Sequence, residues 1–205
     1  MIIDYFKEHI THSSFDGIDF KGIKYILDMG TGSGVVAIFL EMVKERIQPF
    51  SPEIYASDIL NSSIRCAKNN ELLNYKENRI EFIKSDLFKV FPNHFHHKFN
   101  IIVFNPPYLP SIEHEIPTSK ASSYEKSWNG GLKGYETFLT FLDNAKTFLN
   151  YKKPHYIYSI CSSSISIQEF KEKIREMDFK CRVLKKTHIF FEDIYMIKLV
   201  YRNKL

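Results

Sequence analysis

From Phe99 to Phe104 the chain is apolar except for Asn100, and it runs directly into Asn105–Pro106–Pro107–Tyr108. An apolar run this short, bounded by a double proline, reads as a strand buried on both faces. Such a strand needs helices above and below it, which already directs the chain toward an open α/β sheet. The two prolines remove backbone N–H groups and fix φ, so the chain leaves the sheet in one defined direction. Asn105 offers both donors and acceptors, and Tyr108 a flat ring with a polar tip. The carboxyl end of a buried strand is where open α/β sheets hold their ligands.

The flanking sequence repeats the alternation. Tyr25–Met29 is a first buried strand, Gly30–Thr31–Gly32–Ser33–Gly34 a tight turn, and the apolar residues from Val35 a helix to about Ile47. Glu53–Asp58 reads as a second strand, followed by a helix capped by Asn61 or Ser62. Arg79–Lys84 reads as a third strand, and a Phe/His-rich connector from Phe91 to His97 leads to the Phe99–Phe104 strand. A helix starts at Gly134–Tyr135, a fifth strand spans Tyr156–Ile160, and Ile167–Met177 is helical. Two last strands, about Phe179–Lys185 and Ile194–Tyr201, are close enough in sequence to pair antiparallel. The expected fold is a doubly wound α/β sheet of seven strands, mostly parallel, with an antiparallel C-terminal strand pair. Residues 1–23 form a separate N-terminal segment with a short helix and a loop. Residues 24–205 form one domain, with a polar, Ser-rich lid at 109–132.

Charge and cysteine content narrow the function. Lys+Arg 28 against Asp+Glu 24 leaves +4, mildly basic and compatible with an acidic partner without requiring one. Cys66, Cys161 and Cys181 lie far apart, which fits small apolar residues in a reduced cytoplasmic protein better than a disulfide framework or a metal site. Glu113, His114 and Glu115 in the lid lack the spacing of a metal site, so no metal is expected. No apolar run is long enough to span a membrane, and no signal peptide is evident.

The turn after the first strand carries glycines at every second position, G-x-G-x-G rather than the dinucleotide G-x-G-x-x-G, because Val35 stands where the last glycine would fall. Asp28 precedes that turn, where a carboxylate opposes a pyrophosphate but suits a cationic or amino-bearing ligand. Asp58 ends the second strand, near the ~20-residue offset at which an acid accepts ribose hydroxyls. Asp86 ends the third strand and could accept from an adenine amino group. Each acid alone reads equally well as a turn or cap residue. Together, on consecutive strands, they outline an adenosine site without phosphate.

This arrangement resembles the class I S-adenosylmethionine-dependent methyltransferases, with a Rossmann-like sheet, over roughly residues 24–205. The resemblance implies S-adenosyl-L-methionine as cofactor, with Gly30, Thr31, Gly32 and Gly34 against its methionine and ribose portions. It places Asp28 at the methionine end, Asp58 at the ribose and Asp86 at the adenine amine, with Ile59 and Leu87 on the adenine faces and Asn105 beside the cofactor. Thr11 is a candidate for covering the methionine from the N-terminal segment.

Asn105–Pro106–Pro107–Tyr108 is similar to the signature of methyltransferases acting on a planar, conjugated nitrogen. The Asn105 side-chain oxygen and the Pro106 carbonyl can accept from the two N–H groups and stabilise the charge that develops there. Tyr108 can hold the planar group by stacking. With Leu109–Pro110 and the later Trp128–Asn129–Gly130–Gly131–Leu132–Lys133–Gly134, the chain resembles the HemK family of release-factor glutamine methyltransferases, in its short single-domain branch. That resemblance implies a cytoplasmic enzyme methylating a glutamine amide of a translation release factor, with Pro107, Trp128 and Gly130 beside the target. It also implies a small, zinc-binding activating subunit. A nucleic-acid amine methyltransferase and a non-catalytic protein that keeps the fold are the alternatives; the modest charge disfavours a nucleic-acid partner.

Overall fold

The computed structural model describes residues 1–108, 110 and 129–203. Helix α1 (Ile2–His9) and a two-stranded hairpin, β1 (Ser14–Phe15) and β2 (Ile18–Asp19), precede the main sheet. The alternating units follow: β3 (Tyr25–Met29), α2 (Val35–Arg46), β4 (Glu53–Asp58), α3 (Asn61–Tyr75), β5 (Glu81–Lys84) and β6 (Ile101–Phe104). Further along the chain come α4 (Glu136–Phe148), β7 (Tyr156–Ser162), α5 (Ile167–Glu176), β8 (Phe179–Ile189) and β9 (Glu192–Tyr201). The seven strands lie in the order β5-β4-β3-β6-β7-β9-β8, parallel except that β9 runs antiparallel to both β7 and β8. The sheet expected from sequence is therefore the sheet observed.

Both faces of the sheet are covered, which is why β3 and β6 are apolar almost throughout. One face packs against α1 and α2 around Phe6, Phe15, Phe50 and Tyr158. The other packs against α4 and α5, with the aromatic connector before β6 between them. There Phe88 stacks on Phe148 at 4.4 Å between ring centroids, and Phe104 meets Phe141 at 4.6 Å. These contacts fix the N-terminal turns of α4 over the carboxyl end of β6.

Two polar contacts set the frame. At the start of β6, buried Asn100 accepts at Oδ1 from the backbone of Lys24 and donates from Nδ2 to the Pro154 carbonyl. It thereby ties β6 to the chain entering both neighbouring strands. On the opposite face, Asp16 accepts from the Tyr158 hydroxyl at 2.6 Å and from Lys198 at 2.8 Å. The segment before β3, read from sequence as helix and loop, thus forms a helix and a hairpin anchored to β7 and β9. Thr11 caps the turn between α1 and β1, accepting from the backbone of Ser13 and Ser14.

One local expectation is corrected. Helix α3 takes Leu60 as its N-cap, without a side-chain cap of its own, and Asn61 is already helical. Asp58 does the capping from the end of β4, its Oδ1 accepting from the Leu60 backbone at 2.8 Å. That bond closes a turn over Ile59, so the chain enters the helix at Leu60 and Asn61 and Ser62 fall within its first turn.

Candidate active site

The carboxyl ends of β3, β4, β5 and β6 open into a cavity of about 500 Å³, a volume typical of small-molecule sites. Of the residues singled out from sequence, Gly30, Gly32, Asp58, Ile59, Asp86, Leu87, Asn105 and Pro107 line it. The chain therefore folds so that the glycine turn, the acid ending β4, the acid just after β5, and the Asn-Pro-Pro turn share one space. Asp28, Thr31, Gly34, Pro106, Tyr108 and Gly130 do not line it. Trp128 lies outside the described residues.

Asp28 sits differently from the expectation. Side chains alternate across a strand, so where Met29 faces the cavity, Asp28 faces the opposite side, under the turn. It is 4% exposed. Its Oδ2 accepts from the Thr31 hydroxyl at 2.6 Å and from the Ala37 backbone at 3.3 Å. Burial pushes its pKa up to about 7, against the opposing pull of those two hydrogen bonds. Asp28 thus ties the turn to the first turn of α2 from below.

Asp58 holds the turn from the cavity side. Its Oδ2 accepts from the Gly32 N–H at 2.9 Å while Oδ1 caps α3. Gly32 itself has φ +56, and a Cβ there would meet nothing within 4 Å, so this backbone faces open cavity. The absence of a side chain leaves a ligand free to approach the peptide directly. Asp86, further along the same rim, pairs with Lys89 at 2.7 Å.

On the acceptor side, Asn105 is exposed, and among the described residues its side chain makes no hydrogen bond. Behind it the Gly130–Gly134 segment packs directly on the backbone of the proline turn. A Cβ at Gly130 would lie 2.5 Å from the Gly134 carbonyl oxygen and 2.8 Å from that of Pro107. Gly130, Gly131 and Gly134 therefore serve two purposes, making the turn that initiates α4 and backing the backbone at Pro107, Tyr108 and Pro110. Tyr108 packs partly buried against the α1-side core, and burial followed by the nearby charge of Glu192 raises its hydroxyl pKa.

Five polar lining residues escaped the sequence reading as site residues: Ser63 on α3, Ser85 after β5, Asn129, and Thr137 and Thr140 on α4. Thr137 and Thr140 are one turn apart, on the flank of the apolar face carried by Phe138 and Phe141. That helical spacing was the available signal. Thr140 donates to the Glu136 carbonyl at 3.0 Å, and Asn129 Oδ1 accepts from the Gly131 backbone at 2.8 Å.

Comparison with known proteins agrees with this geometry. Residues 16–119 match the family described as the methyltransferase small domain. The chain is 30% identical over 181 residues to a Methanocaldococcus jannaschii chain bearing the name protein N5-glutamine methyltransferase, covering 88% of this chain and 82% of that one. It is 31% identical over 151 residues to the catalytic subunit of the eRF1 methyltransferase of Schizosaccharomyces pombe, covering 71% of this chain and 64% of that one. Among solved structures it shares the fold of the E. cuniculi Mtq2–Trm112 complex, which methylates the eRF1 translation termination factor. The TM-score is 0.65 at 18% identity, over 98% of this chain and 93% of that one.

Proposed function

Because the chain belongs to the methyltransferase small domain family and is an S-adenosylmethionine-dependent N-methyltransferase, we propose that its acceptor is the side-chain amide of a glutamine in a translation release factor. The observation that carries this reading is the shared cavity: the glycine turn with Asp58 forms one end, Asn105 and Pro107 the other. The names of the two relatives support a glutamine in a termination factor as the acceptor.

The cofactor end fits S-adenosylmethionine. Gly32 offers bare backbone to the cavity, Asp58 presents a carboxylate for ribose hydroxyls, and Ile59 and Leu87 offer apolar surface for a flat base. When bound, the cofactor supplies an electrophilic methyl group on a sulfonium. Asp86 accepts from the base amine in this reading, and Asp28 and Thr31 hold the shape of the turn from beneath without touching the ligand.

At the other end an amide nitrogen is a poor nucleophile because its lone pair is delocalised into the carbonyl. Asn105 Oδ1 and the Pro106 carbonyl accept from its two N–H groups, favour a pyramidal nitrogen, and stabilise the positive charge that grows there. Pro107, which lines the cavity, orients the plane of the amide while Tyr108 supports the turn from the α1-side core, and alignment contributes much of the remaining rate. The excess proton leaves to water after transfer, so no general base is required.

The Mtq2–Trm112 neighbour works as a two-subunit complex. By analogy this chain is proposed to need a small activating subunit. Incubating the chain with methyl-labelled cofactor and a release factor, with and without such a subunit, tests both points. The expected result is one methyl group on a glutamine side chain, located by tandem mass spectrometry. Label on RNA or DNA with none on the release factor overturns the reading.

A further inference from the structure

The β8–β9 hairpin ends in Ile189, Phe190 and Phe191, which are 44%, 88% and 101% exposed. Two adjacent phenylalanines held wholly in water call for a physical reason. The strand register gives their position. Phe104 of β6 pairs with Ser159 of β7, β7 continues to Ser162 opposite Ile194, and the hairpin runs on past that pair. At about 3.3 Å per residue the tip stands about 20 Å beyond the level of Phe104, on the same sheet edge as Asn105.

The tip is also braced. Asp193 accepts from Lys186 at 2.8 Å and from His188 at 3.0 Å, so both strands of the hairpin are cross-linked beside the turn. Ser163 and Asp193 exchange two further hydrogen bonds at 2.8 Å, and Ser162 bonds Glu192. A fraying tip would bury its rings on the nearest apolar surface; this one is held out.

We propose that Phe190 and Phe191 dock into an apolar recess of the protein that carries the acceptor glutamine, away from the glutamine itself. This rests on the functional reading above, in which the substrate is a folded protein. The area argues for that occupant. Two phenylalanine side chains present about 400 Å², half of the ~800 Å² that each partner buries in a stable interface. That is too little to hold a second copy of the chain by itself. It is sufficient for a second contact by a partner already held through one side chain in the cavity, where linkage supplies a high effective concentration.

The test compares two substrates, an intact release factor and a short peptide around its acceptor glutamine, using the active enzyme and its F190S/F191S variant. The expected result is a KM for the intact protein raised at least tenfold, kcat within twofold, and unchanged kcat/KM for the peptide. Affinity for S-adenosylhomocysteine, by calorimetry, should not move. An unchanged KM for the intact protein, or equal losses on protein and peptide, overturns the docking surface alone. So does a change from dimer to monomer in sedimentation, or loss of binding to anionic vesicles that the unmodified chain binds. Absence of transfer to the intact release factor by the unmodified enzyme overturns the functional reading and this surface with it.

Discussion

The two ends of the cavity are built in different ways. Around the glycine turn the acids are already engaged: Asp28 bonds Thr31 and Ala37, and Asp58 bonds Gly32 and Leu60. At Asn105 the side chain is exposed and, among the described residues, makes no hydrogen bond; its position comes from two prolines and from glycines pressed against their backbone. The cofactor end is organised by hydrogen bonds, the acceptor end by covalent stiffness and steric contact. The difference follows from what each end must do. A cofactor binds the same way in every turnover and its site can be built in advance. An acceptor must find lone pairs that nothing else occupies, which hydrogen-bonded preorganisation would consume.

If that contrast holds, substitutions at the two ends should separate cleanly. The largest effect is expected at Asn105. N105A removes one of two acceptors for the developing charge, so kcat should fall about 10²–10³-fold, while the Kd for S-adenosylhomocysteine stays within twofold. Loss of both together would show that Asn105 shapes the cofactor end. Next is D58A, which loses charge-assisted hydrogen bonds worth ~1.5–3 kcal/mol. Cofactor affinity measured by calorimetry should weaken about 10–100-fold, with a smaller change in kcat at saturating cofactor.

G130A comes third. The added methyl must displace the Pro107 or Gly134 carbonyl, and ångström-scale misplacement of an acceptor typically costs up to about 100-fold. Turnover should therefore drop by about ten- to a hundredfold with cofactor affinity intact; an equal loss of both would mean that the glycine segment supports the whole cavity. The smallest effect is a slope. The folded-state pKa of Asp28, about 7, lies above the ordinary carboxylate value near 3.9. Between those values the unfolded chain has lost the proton that the folded chain keeps, so this residue makes stability decline as pH rises from about 4 to 7 and contributes no slope below that window. Urea titrations of D28N should show a shallower decline across the same interval. An identical slope would place the responsible group elsewhere.

The sequence made the parallel sheet legible because β3, β4 and β6 are short apolar runs ended by Gly, Asp or Pro, and each such ending marks a ligand-facing strand end. The two halves of the cavity were legible for the same reason. What escaped was anything decided by the direction of a side chain. Asp28 was placed at the ligand by its neighbourhood in sequence, yet the alternation of β3 turns it beneath the turn while Met29 faces the cavity. Thr137 and Thr140 come from a helix far from the glycine turn in sequence, and only the packing of Phe138 and Phe141 on Phe88 and Phe104 aims them inward. The cap of α3 was missed because it is supplied by a strand residue already assigned to another task.

The Asn100 clamp has a consequence for how the molecule assembles. Its bonds join residues 76 and 54 positions apart, and contacts of such separation form slowly because long loops must close first. The β3–turn–α2 unit, by contrast, is local and can form early. Folding should accordingly proceed from a chain with an organised glycine turn to one in which β6 is seated between β3 and β7. Asn105 reaches its place only in the second stage, so the capacity to transfer a methyl group is gained at the end of folding, when the chain on both sides of β6 is in position.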